Sequence, residues 1–459
     1  MEQLPKSLLY YSSQIAGFTR NNVKINSLNQ TSLASNGVSQ IRLALPVNAT
    51  INLKSLSMHA KCVITGKKES NTAFNVYGLV PKGGIAAMLD RVTVSAAGVS
   101  LDNGVTPYYV ISAIKDNLEK GNDKRMSDDR VLQESTITAY QDAQIGADAA
   151  GNPTITKYLV QNNFCGFTEC EPSYLSMDLL PEVFITMQCA SSNVIPVQED
   201  NSTIGDPLTE GTTFGGSGCN FSLSEIYFTC DVCQFGGGMY DAINQRLLAE
   251  RGSLDIPYPQ YNLFSQTTNA GVGEIRGSVS CMSLDRVYVV ARNNGGTVDG
   301  AVPGEAWTNQ QPPVALTDAV GPAFQQRTIN FAAADCKDYQ FSLNNAPMPL
   351  WRPSALDAFN FVVNAEDRSY SKGMGGGVHS QKEWLNNKWC AMIRLNLDND
   401  PRRLSGTNLS SVNSALVWSP SKDTAMTGAP GKNARQMIMV TKQTSVLRVG
   451  QSRAVSVIN

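Results

Sequence analysis

The alternation of apolar and polar residues along the chain predicts a protein built mainly from β-strands. Apolar side chains alternate with polar ones at Ile41, Leu43 and Leu45, and a turn follows at 46–48. The apolar pattern resumes with Ile51, Leu53, Leu56 and Met58 and continues into the run 62–64. A period of two is typical of a strand with one face in a core and the other in water. Further strands are predicted at 89–94, 157–165, 174–189, 221–232, 279–290, 328–331, 341–343, 358–363, 389–397, 436–440 and 446–458.

Only a few short segments have helical spacing. Residues 108–119 and 239–251 carry apolar side chains at intervals that give each helix one apolar face. A third short helix is predicted near residues 380–387. The predicted faces consist of Val110, Ile111, Ile114 and Leu118 in the first helix, and of Ile243, Leu247 and Leu248 in the second.

A repeated sequence indicates that the chain has two similar halves. Residues 88–94 and 283–289 share the run Leu-Asp-Arg-Val and are identical at five positions in seven. A chain of 459 residues is also longer than a single core normally requires. Repeat and length together predict two β domains in tandem.

The polar, turn-rich stretch 196–218 is the candidate join between the halves. We expect an N-terminal arm at 1–20, a first domain at 21–205 and a second domain at 206–459. The strand predicted at 221–232 would then open the second domain.

Two long polar segments, 120–156 and 293–321, are predicted as surface loops. Loops of this length are uncommon in a compact domain unless they carry function or contacts. Both are therefore candidates for binding surfaces.

Charge narrows the classes of function. Lys and Arg number 37 and Asp and Glu number 39, which gives a formal net charge of −2, and no tail or stripe concentrates the basic residues. Nucleic-acid binding that ignores sequence depends on many Lys and Arg side chains against phosphates. We therefore expect neither a basic arm that packs a genome nor specific nucleic-acid binding.

The chain also lacks sequence signals for membranes and secretion. No apolar run approaches the roughly 18 residues needed to span a bilayer, and the first residues lack the layout of a signal peptide. We expect a soluble protein made in the cytosol, where its ten cysteines would remain thiols.

Candidate catalytic chemistry is sparse. His59 lies in an alternating run and is expected on the outer face of a strand. His379 follows a glycine-rich loop, but no nucleophile in a recognisable elbow accompanies it. We expect no catalytic, cofactor-binding or metal-binding residues in this chain.

The cysteine pairs also predict no chemistry. Cys230 and Cys233 form a CxxC pair, but residues three apart in a strand point to opposite faces, which suits neither a disulfide nor a shared metal. Cys165 and Cys170 flank a predicted strand end. We expect ordinary buried or half-buried thiols.

Three short motifs resemble ligand sites only partly. The glycine run at 373–377 does not follow a buried parallel strand, and the Gly-Lys pair in 428–432 lacks P-loop spacing. Asp398-Asn399-Asp400 begins like a calcium loop, but Pro401 and two arginines follow where a glycine turn is needed. All three are interpreted as solvated turns.

Five features of the layout resemble one family. They are residues 41–46 followed by 51–56, the Leu89-Asp90-Arg91-Val92 strand before a helix that begins with Tyr, the helix 238–251, the segment 254–258 after it, and the ending 446–451. Together they resemble a double jelly-roll major capsid protein of the lineage that includes adenovirus hexon, tectiviruses, virophages and polinton-like viruses. The likeness in layout extends over most of residues 20–459.

The resemblance implies two tandem eight-stranded antiparallel jelly rolls, with a few short helices in the loops between strands. It implies a capsid subunit, not an enzyme, that forms homotrimeric pseudo-hexagonal capsomers tiling an icosahedral virus shell. Its partners would be further copies, neighbouring capsomers, and penton and minor capsid proteins. The protein would be found in the virion and assembled in the host cytoplasm.

The same resemblance gives roles to three segments. Residues 120–156 and 293–321 would form outer tower or subunit contacts. Residues 1–20 would lie at the base, against a neighbour, a minor protein or an internal membrane.

Two alternatives from other classes remain. A carbohydrate-binding or carbohydrate-active β-sandwich protein would need a carboxylate pair in an aromatic cleft, and no such pair stands out. A trimeric viral spike or receptor-binding protein would carry a shaft or fibrous repeat, and neither is evident in the sequence.

Overall fold

The structure is a computed structural model of the chain. It describes residues 17–35, 39–47, 49–68, 75–78, 80–81, 83–102, 107–119, 144–162, 164–195, 197–200, 219–235, 239–268, 272–293, 331, 336–365, 389–398, 400, 402–410, 414–422, 435–450 and 453–459. The predicted helix at 380–387 and most of the predicted loop at 293–321 lie outside these ranges.

Eight main strands build a sandwich in the first half of the chain. They are β1 (Phe18–Asn26), β2 (Gln40–Ala44), β3 (Thr50–Thr65), β4 (Leu89–Ala96), β5 (Val99–Asp102), β6 (Pro153–Asn162), β7 (Val183–Cys189) and β8 (Asn220–Phe235). One antiparallel sheet has the order β1-β8-β3-β6 and the other has the order β2-β7-β4-β5. Short strands Leu33–Ala34, Gln144–Ala147 and Tyr174–Ser176 extend the first sheet.

The second half repeats this arrangement. Its strands are β9 (Ser253–Thr268), β10 (Ile275–Val279), β11 (Leu284–Asn293), β12 (Cys336–Leu343), β13 (Ala346–Met348), β14 (Ala391–Arg394), β15 (Ser414–Lys422) and β16 (Arg435–Gly450). The sheets have the orders β9-β16-β11-β14 and β10-β15-β12-β13. Each order is that of the first half with eight added to every strand number. Eight strands in two such sheets form a jelly roll, so the expected fold class is confirmed.

Alternating side chains fill the space between the sheets of each roll. On β3, alternate residues from Leu56 to Ile64 are fully buried, as the period of two predicts. We call the jelly rolls of the first and second halves roll 1 and roll 2. In roll 2, the core centres on Trp389 and Trp418, whose ring centroids lie 6.1 Å apart. The indole nitrogen of Trp389 donates a hydrogen bond to the Ala355 carbonyl over 3.0 Å, so this buried polar group is satisfied.

The described parts of the connections contain four short α-helices: α1 (Gly84–Ala87), α2 (Tyr108–Glu119), α3 (Met239–Arg251) and α4 (Asp357–Ala365). The four predicted core residues of α2 are buried, which confirms its apolar face. On α3, Ile243 is exposed, so the predicted face is wrong at this position.

The strand predicted at 358–363 is wrong, because this segment belongs to α4. Ser354 and Asp357 cap the helix reciprocally. The Ser354 amide donates to Asp357 Oδ2 over 2.9 Å, and the Asp357 amide donates to Ser354 Oγ over 3.2 Å. This pair satisfies free amides at the start of the helix, while Ala358 and Val362 are buried one turn apart.

The strand at 220–235 does not open the second half. β8 pairs with β3 and with β1, so it completes the first roll. The helix α3 then leads to β9, the first strand of the second roll. The prediction was wrong because alternation shows that a strand forms but not which strands it pairs with. The partners of this strand lie far away in the sequence.

The repeated Leu-Asp-Arg-Val run does not mark equivalent positions. Residues 89–92 begin β4, the fourth strand of roll 1, whereas residues 284–287 begin β11, the third strand of roll 2. The two strands also lie in different sheets of their rolls. The duplication of the fold is therefore real, but this run is not a trace of it.

The predicted loop at 120–156 is wrong over its last part. Gln144–Ala147 pairs with the beginning of β6 and forms a hairpin. The Asp148 carboxylate closes the turn, because its Oδ1 accepts hydrogen bonds from the Ala150 amide over 2.9 Å and from the Asn152 amide over 2.8 Å. Residues 120–143 lie outside the described ranges.

Candidate functional site

His59 lies on the outer face of the β1-β8-β3-β6 sheet, as expected. Its ring stacks on Tyr227 with centroids 4.6 Å apart, and its Nε2 lies 3.1 Å from Thr229 Oγ1. Burial, and more weakly the nearby Lys24 ammonium, hold the pKa of His59 below its usual value. These contacts describe a surface histidine that is held in place by stacking and by a hydrogen bond to a neighbouring strand. His379 lies outside the described residues.

All ten cysteines are buried and none forms a disulfide, which confirms the expectation of buried thiols. Burial raises the pKa of Cys170 to about 12 and that of Cys230 to about 11. A thiol with such a pKa carries very little thiolate at neutral pH. Among the residues that the structure describes, no group of three or more His, Cys, Asp or Glu side chains could hold a metal ion.

Asp398 and Asp400 form a hydrogen-bonded turn. The Asp400 amide donates to Asp398 Oδ1 over 3.1 Å, and Arg403 Nη1 lies 3.2 Å from Asp398 Oδ2. The turn interpretation is confirmed for these two residues. The segments 373–377 and 428–432 lie outside the described ranges.

Asp285 anchors the connection between β14 and β15. Its carboxylate is buried and accepts hydrogen bonds from Ser283 Oγ over 2.8 Å and from Thr444 Oγ1 over 2.5 Å. Ser283 Oγ in turn accepts the Gly406 amide over 3.0 Å. A Cβ at Gly406 would lie 2.5 Å from both Asp285 Oδ1 and Ser283 Oγ, so this close approach requires glycine.

The outer face of roll 2 is apolar and buried. We use this name for the face of the β9-β16-β11-β14 sheet that points away from the second sheet of its roll. A Cβ at Gly277 on β10 would lie 2.7 Å from Met439, so Met439 points inward and its neighbours along β16 point outward. The outward residues Tyr288, Val290, Ile438 and Val440 form two cross-strand pairs and are all buried.

Roll 1 covers this face. Tyr109 on α2 receives hydrogen bonds from both Nη atoms of Arg292 over 3.4 Å, and the guanidinium lies 5.5 Å from the ring centroid. Tyr261 on β9 donates to Glu169 Oε2 over 3.3 Å. Glu169 belongs to the short 3-10 helix Phe167–Glu169 of roll 1. The connections after β5 and β6 therefore pack one roll against the other.

The outer face of roll 1 is different in chemistry. It is the corresponding face of the β1-β8-β3-β6 sheet, and it carries charged and aromatic residues. Lys24 Nζ lies 4.2 Å from the centroid of Tyr227, and Lys61 Nζ lies 5.9 Å from that of Tyr158 and 3.4 Å from Glu225 Oε1. Tyr158 is 63% exposed, so this face is open to solvent in the single chain.

Ion pairs neutralise much of the charge on this face. Arg20 pairs with Asp231, and Lys54 pairs with Glu171. Hydrogen bonds from Arg20 and Asn22 hold the pKa of Asp231 below its usual value. A mixed and internally paired surface of this kind does not form the basic stripe that nucleic acids require.

Several large exposed apolar side chains lie in the connections of roll 2. Leu350 is 90% exposed, Trp351 is 54% exposed and Leu356 is also exposed. The Trp351 ring lies 6.0 Å from that of Phe361 on α4. We name these four residues the β13–β14 patch. Exposed apolar patches mark interaction sites more often than reactive centres.

Another exposed leucine lies in a different connection of roll 2. Leu397 is 90% exposed and belongs to the connection that leaves β14, whereas the β13–β14 patch belongs to the connection that enters it. The surface of the described chain therefore offers binding groups at several places. Among the described helices, none is long and apolar enough to cross a bilayer.

Two jelly rolls packed through one apolar face define a double jelly-roll protein. No family model and no curated protein sequence matches the chain. Solved structures do match: the PBCV-1 protein VP54, fitted into a cryo-EM reconstruction of the virophage Sputnik, has a TM-score of 0.58 and 12% identity over 99% of this chain and 100% of its own.

Two viral major capsid proteins give similar values. The Faustovirus protein has a TM-score of 0.57 and 10% identity over 96% of this chain and 92% of its own. The mavirus protein has a TM-score of 0.51 and 8% identity over 100% of this chain and 95% of its own. At these identities the likeness establishes the fold, which is the double jelly roll of these capsid proteins.

The sequence did not reveal the two outer faces. Their residues are too far apart along the chain for a local pattern to link them. One signal was present: residues 437–440 and 287–291 are continuous apolar runs, which are typical of strands buried on both faces. Such a run indicates that something covers the sheet, but not which part of the chain does so.

Proposed function

We propose that this chain is a major capsid protein whose homotrimers form pseudo-hexagonal capsomers that tile an icosahedral shell. The observation that carries the proposal is the match to viral major capsid proteins across nearly the full length of both chains, with both rolls included. A likeness confined to one roll would fit many unrelated β-sandwich proteins.

The described surface supports binding without turnover. It combines buried thiols, a packed histidine and exposed apolar groups in connections. A protein of this kind acts through shape and through repeated moderate interfaces, which permit errors to be corrected during assembly. We therefore propose a structural role without enzymatic activity.

Within this proposal, the boundary between the two domains is set by the sheets in which the strands pair. Roll 1 extends from β1 to β8, α3 is the linker, and roll 2 extends from β9 onward. The strand order supports this division better than a join at 196–218. The expected N-terminal arm at 1–20 is too long by three residues, because β1 begins at Phe18. The segment before β1 would contact a neighbour, a minor protein or an internal membrane, because Leu8, Leu9, Tyr10 and Tyr11 favour an apolar partner.

Further partners would be neighbouring capsomers, together with penton and minor capsid proteins. The protein would be found in the virion after assembly in the host cytoplasm. Capsomers of one protein cannot close an icosahedron at its fivefold corners without a different arrangement there, which is why a penton partner belongs to the proposal.

The test is the mass of the purified protein in solution. Size-exclusion chromatography with light scattering is expected to give three chain masses. A chain that stays monomeric over a range of salt and pH would refute the proposal. It would favour a β-sandwich binding protein or enzyme instead.

A further inference from the structure

The last strand of the described chain joins roll 2 to roll 1. This strand, β17 (Val455–Ile458), pairs antiparallel with residues 446–449 at the end of β16. It also packs against β5 of roll 1. A strand that is hydrogen-bonded to one roll and packed on the other connects the two.

The two faces of β17 differ in burial. Val455 and Val457 are half-buried, pack against the core and lie opposite Val449 and Leu447 of β16, which are buried. Ser456 points the other way and is exposed. The two valines therefore hold the strand in place, whereas Ser456 offers a control position on the same strand.

Roll 1 also holds the other edge of the same strands. We call the start of β9 and the end of β16, which pair with each other, the ribbon end. The Glu171 amide of roll 1 donates a hydrogen bond to the Pro257 carbonyl of β9 over 3.0 Å. Nearby, the rings of Phe167 in roll 1 and the buried Tyr258 in β9 meet edge-on, with centroids 5.3 Å apart. Roll 1 thus contacts the ribbon end on one edge through Glu171 and on the other through β17.

These two contacts are linked inside roll 1. β5 ends at Asp102, whose buried carboxylate lies so close to Gly166 that a Cβ there would overlap Oδ2. Gly166 has a φ of 95°, which side chains with a Cβ rarely adopt, and it caps the 3-10 helix that carries Phe167. The part of roll 1 that surrounds the ribbon end is therefore continuous from β5 to Glu171.

We infer that β17 is a clasp that closes the contact between the two rolls and fixes the angle between them. When β17 is displaced, the ribbon end loses one of its two contacts with roll 1. A strand of four residues, three of them half-buried and one exposed, opens at a lower free energy than either roll unfolds. The clasp acts within a single copy, so the inference does not depend on the proposed function.

Hydrogen exchange followed by mass spectrometry tests the clasp in the full chain. The reporter is the Glu171 amide, which bonds to roll 2, and the reference is β7, which lies between β2 and β4 inside roll 1. Val457→Asp places a charge on the half-buried face and should displace β17. Exchange at Glu171 is then expected to rise at least about tenfold, while β7 keeps its protection.

The matched control introduces the same residue one position away. Ser456→Asp adds an equal charge on the exposed face and is expected to leave exchange at Glu171 unchanged. Val457→Ala repeats the test with less disturbance of the fold and is expected to give a smaller increase at Glu171.

Three results would overturn the inference. Protection at Glu171 that survives the loss of protection in β17 would show that the rolls stay together without the clasp. Equal acceleration at Glu171 and in β7 would show that β17 stabilises the rolls themselves and not their contact. Equal effects of Val457→Asp and Ser456→Asp would show that the half-buried face does not hold the strand. None of these results bears on the capsid proposal, which the mass of the purified protein tests.

Discussion

The repeated Leu-Asp-Arg-Val run provides a matched pair of carboxylates in different environments. Asp285 is buried and accepts hydrogen bonds from Ser283 and Thr444. Asp90 is partly exposed, and burial raises its pKa above the usual value although Arg91 and Arg292 oppose this shift. We predict that Asp285→Ala destabilises roll 2, whereas Asp90→Ala has little effect on stability.

The magnitude follows from the bonds lost. Each hydrogen bond to a charged acceptor contributes about 1.5–3 kcal/mol, and two are lost at Asp285. Removing the buried carboxylate returns part of its desolvation cost, so a net loss of about 3 kcal/mol is expected. In a cooperative unit of about 200 residues this lowers Tm by roughly 6–12 °C. Asp90→Ala should remain within about 0.5 kcal/mol.

Tryptophan fluorescence is a suitable assay, because all five tryptophans lie in the second half of the chain. Thermal melts of the two variants and the parent protein would be recorded at neutral pH. Equal decreases in Tm for Asp285→Ala and Asp90→Ala would refute the reasoning. A larger decrease for Asp90→Ala would also refute it, because burial already disfavours the charged form of Asp90.

Three further predictions concern stability and reactivity. Ile438→Ala, on the covered outer face of roll 2, should lower the free energy of unfolding in urea by about 2–4 kcal/mol. Tyr158→Ala, on the open face of roll 1, should lower it by less than about 0.5 kcal/mol. Similar losses for the two variants would contradict the assigned faces. The lowered pKa of His59 means that the unfolded chain binds its proton more readily, so stability should fall as the pH drops through about 6.5, and His59→Gln should reduce this dependence in melts from pH 5 to 8. A thiol reagent should label almost none of the ten cysteines in the folded protein and all ten in denaturant; rapid labelling of the folded state would show that the thiols are not buried.

The sequence predicted individual strands better than their partners. Alternation on β3 and, from Val92 onward, on β4 identified strands and their inner faces, because a side-chain period of two is a local property. The partners of β8 lie about 170 and 210 residues earlier in the chain, and no local pattern encodes them. This is why the start of roll 2 was placed one strand too early.

Local competition explains the other errors. Residues 358–363 are apolar enough for a strand, but Ser354 and Asp357 begin a helix. On α3, the predicted face assumed that the helix packs on a core, whereas Ile243 remains exposed. The candidate interaction surfaces depended on tertiary structure throughout. Trp351 and Tyr158 are exposed in the folded chain, and no local sequence pattern shows this exposure.

The central claim is that this chain builds capsomers from two jelly rolls per copy. Cryo-EM of the purified oligomer tests it most directly. We expect a particle with threefold symmetry and a six-sided outline, in which three chains place six rolls around one axis. A dimer, an open chain of copies, or a ring with any other number of rolls would contradict it.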